Sequence, residues 1–168
     1  MNIYLLVGKA GSGKSYVANI LKEKLPNSVI TNLSKYIKLF ALELGLWDGN
    51  DNNKPRTFLQ TTGDKLRAVD ENILSKRMLD DIKVYEKINI KNVIIIDVRL
   101  IKEINCLKNS NNNVITIKVT SQKSNRKLTI EEQNHLTEIE LDNYQDYDYL
   151  IENNDKINEQ IEEILKGR

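Results

Sequence analysis

The segment Gly8-Lys9-Ala10-Gly11-Ser12-Gly13-Lys14-Ser15 has the spacing G-x-x-x-x-G-K-[ST] and directly follows the apolar run Ile3-Tyr4-Leu5-Leu6-Val7. Glycines at these positions let the chain turn tightly, so that backbone amides converge on phosphate oxygens at the start of the next helix. Lys14 is then positioned to pair with β- and γ-phosphates, and Ser15 to offer its hydroxyl to Mg²⁺. Gly8, Gly11, Ser12, Gly13, Lys14 and Ser15 are the candidate phosphate-binding residues. A chance glycine turn would need none of the strand-loop-helix order seen around them.

A second chemical landmark closes the run Val93-Ile94-Ile95-Ile96-Asp97. An acid at the end of a buried strand beside a phosphate-binding loop is the Walker B arrangement, so Asp97 joins Ser15 as a candidate metal residue. Arg99 and Glu103 follow. One reading makes Asp97 a helix cap and Arg99 with Glu103 a surface ion pair. The other sets Arg99 beside a phosphate in transfer. A third group spans Lys54 to Arg67, where Arg56, Gln60 and Arg67 surround a short amphipathic stretch. Guanidinium forks grip a monophosphate bidentately, and a Gln amide both donates and accepts at a base edge. Solvated surface arginines would give the same pattern.

These groups need elements to hold them. Apolar periodicity predicts strands over 2–7, 28–32, 93–97, 114–120 and 147–151. It predicts helices over 14–25, 34–44, 56–87 with a break near Gly63, about 101–107, and 156–165. The helix at 14 stops at Pro26, and the one at 34 at Gly45. Alternation of this kind predicts a parallel sheet with helices on both faces and ligands at the carboxyl ends of the strands. The polar segment 121–145 lies between the last strands, carries Arg126 with Lys123 and Lys127, and reads as a mobile lid over about 121–142. Leu128, Ile130, Leu136, Ile139 and Leu141 recur there at helical spacing, which also fits a fixed helical pair.

At 168 residues the chain is expected to form a single domain over 1–168. A net charge of +1 leaves no bulk footprint for nucleic acid or an acidic membrane. The single cysteine, Cys106, excludes an internal disulfide and reads as a small core residue on a helix. The single histidine, His135, excludes a histidine metal cluster. With no signal-peptide pattern and no apolar run of bilayer length, the expected location is cytoplasmic. Small-molecule nucleotides are the expected partners, without stable nucleic-acid binding or membrane association, and a homodimer is compatible with the sequence.

Taken together, the P-loop, K-P-R-x-x-L-Q-x-x-G-x-x-L-R from Lys54, I-I-D-V-R-L-x-x-E-I around Asp97, H-L-T-E from His135 and Y-x-x-Y-D-Y-L-I-E-N from Tyr144 resemble the deoxynucleoside monophosphate kinase family of phages and Firmicutes. The resemblance runs from about Met1 to about Leu165. It implies an α/β three-layer P-loop NTPase fold, with a five-stranded parallel sheet and a helical lid. It also implies γ-phosphoryl transfer from ATP to a (deoxy)nucleoside monophosphate with Mg²⁺. By that resemblance Arg56, Gln60 and Arg67 fall on the acceptor motif within a helical region of about 33–90. Asp97 and Arg99 fall on the strand-end motif, and His135 with Glu138 on the return from the lid. Lys14, Arg99 and Arg126 are then the catalytic candidates. Ser121 stands where related kinases often carry an arginine. Two other readings share the core: a small-metabolite kinase of the dephospho-coenzyme A or phosphomevalonate type, and a nucleotide-binding regulatory module with little turnover.

Overall fold

A computed structural model of the protein describes residues 1–121 and 129–167. Arg126, Lys123, Lys127 and Leu128 lie outside the described residues. Five strands, β1 (Asn2–Val7), β2 (Ser28–Thr31), β3 (Asn92–Ile95), β4 (Asn113–Thr120) and β5 (Tyr149–Glu152), form one parallel sheet in the order β2-β3-β1-β4-β5. β1 and β3 are apolar along nearly their whole length because both of their faces are covered. On one face, Tyr4, Leu6, Ile94, Ile117 and Val119 meet α1 (Lys14–Lys24) and α8 (Ile157–Lys166). On the other, Ile3, Leu5, Val93 and Ile95 meet α2 (Lys35–Glu43), α4 (Ile73–Lys87) and α5 (Ile101–Lys108).

The chain leaves β1 toward β2 and leaves β3 toward β4, so these neighbours send their connections in opposite directions. That reversal opens a crevice at their carboxyl ends, where open α/β sheets bind ligands. The P-loop follows β1 and Asp97 follows β3, which sets both at the crevice. At the opposite end of the sheet, register is tied by an asparagine ladder that periodicity does not reveal. Asn113 donates to Asn2 at 3.0 Å, Asn2 to Asn92 at 3.0 Å, and Asn92 to the Pro26 carbonyl at 2.8 Å.

Two sequence expectations need correction. Helix α3 (Arg56–Val69) runs through Gly63 without a break, and the interruption falls at Asp70 to Asn72. A Cβ at Gly63 would stand 2.9 Å from Arg67 Nη1, so this glycine makes room for a side chain one turn on. The true break carries an Asx turn, with Asp70 Oδ1 accepting from the Asn72 amide at 2.9 Å. Cys106 is half-buried and not a core residue, its thiol pushed up by burial. In the segment expected to form a lid, α6 (Ile130–Asn134) and α7 (Leu136–Ile139) are short, and Ile130, Leu136 and Ile139 are exposed. Among Ile130, Leu136, Ile139 and Leu141, Leu141 alone packs on the core. Among the described residues, no helix is long and apolar enough to cross a membrane.

Candidate active site

The P-loop geometry depends on glycine at two places where nothing else fits. Gly8 has φ +140° and its missing Cβ would lie 2.3 Å from the Val119 carbonyl. Gly13 has φ +97°, and a Cβ there would lie 2.2 Å from Asn153 Nδ2, in the turn after β5. Asn153 donates to the Ser12 carbonyl at 3.3 Å, so that turn braces the loop from behind. Lys14 is buried, and its ammonium donates to the carbonyls of Gly8 at 2.6 Å and Lys9 at 2.7 Å. This folds the lysine back across the loop. Ser15 is exposed at the start of α1, and the Ser12 hydroxyl is buried without a hydrogen-bond partner among the described residues.

Three adjoining cavities meet here. The largest, about 650 Å³, is lined by Gly11, Gly13, Lys14 and Ser15 on the P-loop side, with Trp47, Asp51 and Lys54 also on its wall. A second, about 130 Å³, is lined by Arg56, Gln60 and Arg67 together with apolar Leu33, Ile37, Leu59 and Leu74. A third, about 380 Å³, runs between Gly8 to Ser12, the end of β4 and the segment Thr137 to Asp142. Lys38, Lys54, Asp97 and Arg99 line both the first and the second, and Arg99 lines all three. The fold therefore brings Lys14, Ser15, Asp97 and Arg99 into one cavity, and Arg56, Gln60 and Arg67 into the one beside it.

Asp97 does not cap the helix that follows it. Its carboxylate accepts from the Leu33 amide at 2.6 Å, the Ser34 amide at 3.2 Å and the Ser34 hydroxyl, with the Lys38 ammonium at 3.5 Å. The acid thus holds the turn between β2 and α2 across the crevice. Burial pushes its carboxyl up, but the Lys38 charge and the Ser34 and Leu33 hydrogen bonds outweigh burial and hold it below the usual carboxylate range. Lys38 and Lys54 are site cations that sequence reading missed. Lys54 is pushed down by burial and by the charges of Lys38 and Arg56, against the opposing pull of Asp51. Such crowding of cations is relieved by an anion.

Arg99 and Glu103 do not pair side chain to side chain. Glu103 is buried, and its Oε1 accepts from Arg67 Nη2 at 2.8 Å and Nε at 3.3 Å. Its Oε2 accepts the amides of Arg99 at 3.0 Å and Leu100 at 3.2 Å, so Glu103 caps its own helix. Arg67 therefore reaches the second cavity with one edge of its fork already engaged. The Arg99 guanidinium instead bonds Glu138 Oε2 at 2.9 Å. His135 Nδ1 accepts the Thr137 amide at 3.3 Å, which leaves Nε2 as the donor to Asp64 Oδ2 at 2.9 Å. Through these contacts α3, α5 and α7 share one polar network.

Among the described residues, no group of three or more His, Cys, Asp and Glu side chains is placed to hold a metal. Mg²⁺ in phosphate sites is held mainly by phosphates and water with one or two protein oxygens. The Ser15 hydroxyl and Asp97 carboxylate, hard donors on one cavity wall, fit that mode.

No protein-family profile matches the chain, and no curated protein does. Solved structures do. A sugar kinase from Janibacter sp. HTCC2649, solved unliganded, aligns with a TM-score of 0.52 at 12% identity, over 98% of this chain and 92% of its own. A shikimate kinase from Aquifex aeolicus vf5 aligns at 0.48 and 18% identity, over 99% and 95%. The likeness to the sugar kinase is one of fold: an α/β P-loop architecture with a five-stranded parallel sheet between helices.

Proposed function

We propose that the chain is an ATP-dependent kinase whose acceptor is a (deoxy)nucleoside monophosphate. The observation that carries this reading is the shared wall. A P-loop cavity and an arginine-lined cavity adjoin, with Lys38, Lys54, Asp97 and Arg99 lining both. A phosphoryl donor in one and an anionic acceptor in the other would face each other across those side chains. Phosphoryl transfer depends mainly on such positioning and charge stabilisation.

In this account the P-loop amides and Lys14 hold the β- and γ-phosphates, and Ser15 with Asp97 would hold Mg²⁺. Bound Mg²⁺ supplies charge neutralisation to the transferring group. Arg56 and Arg67 grip the acceptor phosphate, Gln60 meets the base, and Arg99 stabilises charge between the two nucleotides. Arg126 is proposed to reach the phosphates from the lid. The resemblance over the acceptor motif supports a nucleotide acceptor. The acceptor cavity's volume of about 130 Å³ favours a second reading, a kinase of a compact metabolite, because sites for larger ligands usually span ~300–1,000 Å³.

The test is ADP release measured with ATP and Mg²⁺ against ribo- and deoxynucleoside monophosphates, with phosphomevalonate alongside as the compact acceptor. Release that depends on a nucleoside monophosphate supports the proposal. Release with phosphomevalonate alone moves the chain to the second reading, and none with any acceptor removes the nucleotide reading.

A further inference from the structure

The element that carries Glu138 is held in an unusual way. Helix α7 exposes Leu136 and Ile139, and its ties to the body of the protein are polar. His135 bonds Asp64 on α3, Glu140 Oε1 accepts the Ile101 amide at 2.6 Å, and Lys9 pairs with Asp142 at 2.9 Å just beyond the helix. A segment with few buried apolar contacts opens at low free-energy cost, so α7, anchored to the core by Leu141 beyond its end, can shift without uncovering the core. Yet it places a carboxylate that is only 9% exposed directly on a guanidinium lining all three cavities. Glu138 itself lines two of those cavities. An acid facing phosphate sites repels the anions they are built to hold, unless it acts through the cation it touches.

Resting on the kinase reading, we propose that Glu138 is a positioning residue that serves as the exchangeable counter-ion of Arg99. It holds the guanidinium at the cavity junction and cedes it when a phosphoryl group arrives. The Arg99–Glu138 pair has little net charge, so Arg99 draws phosphate only once α7 has shifted. Binding of the phosphoryl anion then exchanges one oxyanion partner of Arg99 for another, with no bond made or broken. The consequence is that Arg99 contributes little to capturing nucleotide alone and much once the crevice is filled. This limits transfer to water before the acceptor is in place.

The experiment measures the dissociation constant of β,γ-imido-ATP with Mg²⁺ by calorimetry for the wild type, Glu138→Gln, Arg99→Ala and the double variant. Glu138→Gln should tighten binding about tenfold, and the double variant should bind within about twofold of the wild type, because losing both partners leaves the net charge at the junction unchanged. Glu138→Asp, which keeps the charge, should stay within about threefold of wild type. Glu138→Ala carries the same comparison should the glutamine variant not fold. Unchanged or weaker binding by Glu138→Gln, or a double variant that binds as tightly as Glu138→Gln, overturns the proposal. Failure of both the glutamine and the alanine variants to fold assigns Glu138 a structural role and also overturns it. A wild type that does not bind the probe removes the nucleotide-site reading and this proposal with it. Binding without acceptor-dependent ADP formation removes the transferase reading alone.

Discussion

Truncating Glu103 to alanine tests the polar network beneath the site most sharply. The carboxylate is 1% exposed and accepts four hydrogen bonds: two from Arg67 and one each from the Arg99 and Leu100 amides. Removing it leaves a guanidinium whose side chain is only 12% exposed with no carboxylate but the more exposed Asp64, 3.4 Å from Nη1, and leaves two amides at the start of α5 without their acceptor. Breaking a buried pair by deleting one partner costs about 3–5 kcal/mol, because the surviving charge stays buried and unmatched. Loss of the cap adds about 1 kcal/mol, less whatever water entering the space recovers. A domain of this size has about 5–15 kcal/mol in total, so Glu103→Ala should remain folded but with a small margin. Urea unfolding followed by far-ultraviolet circular dichroism reads the change, and thermal unfolding should show a fall of roughly 10 °C. Replacing both partners, Arg67→Met with Glu103→Leu, should cost less than Glu103→Ala alone, since no unpaired charge remains. A Glu103→Ala protein within about 1 kcal/mol of wild type, or a double variant worse than the single, would refute the reasoning.

Other perturbations act on the chemistry. Lys14→Ala should lower turnover by orders of magnitude while the melting curve stays that of a folded protein, checked by coupled ADP release beside thermal unfolding. Arg56→Ala and Gln60→Ala should raise the acceptor KM or lower kcat with little change in ATP binding, and the lost arginine contact should cost about 1.5–3 kcal/mol. Asp97 lies below its ordinary value of 3.8 in the folded protein, so as pH falls the unfolded chain takes up the proton first. Its stabilisation is complete above about pH 5 and is lost as the pH falls through the folded value. Asp97→Asn should therefore flatten the dependence of the urea midpoint on pH below 4, and an unchanged slope would contradict the role given to this acid.

The sequence exposed what is local and hid what is assembled. The P-loop was legible because its glycines, lysine and serine are contiguous and flanked by a strand and a helix. The positions of β1, β3 and β4 were legible because strands buried on both faces leave little choice of residue. Gly63 was misread because a helical glycine looks like a break until Arg67 is seen filling the space beside it. The tie from Asp97 to the Leu33 and Ser34 turn spans more than sixty residues, as does His135 to Asp64, and no periodicity reports such pairs. Lys38 and Lys54 were missed in a lysine-rich chain because only the fold brings them to the same cavity walls. The strand-end acid was found, but its partners in the turn before α2 were not.

The central claim is transfer of a phosphoryl group between nucleotides, and the most direct measurement follows that group itself. ATP labelled at the γ-phosphate is incubated with the protein, Mg²⁺ and a deoxynucleoside monophosphate, and the products are separated. The account predicts label in the deoxynucleoside diphosphate, at a rate that falls by orders of magnitude in Lys14→Ala, with little in free phosphate. Label found only in free phosphate, or remaining in ATP whatever acceptor is supplied, would contradict it.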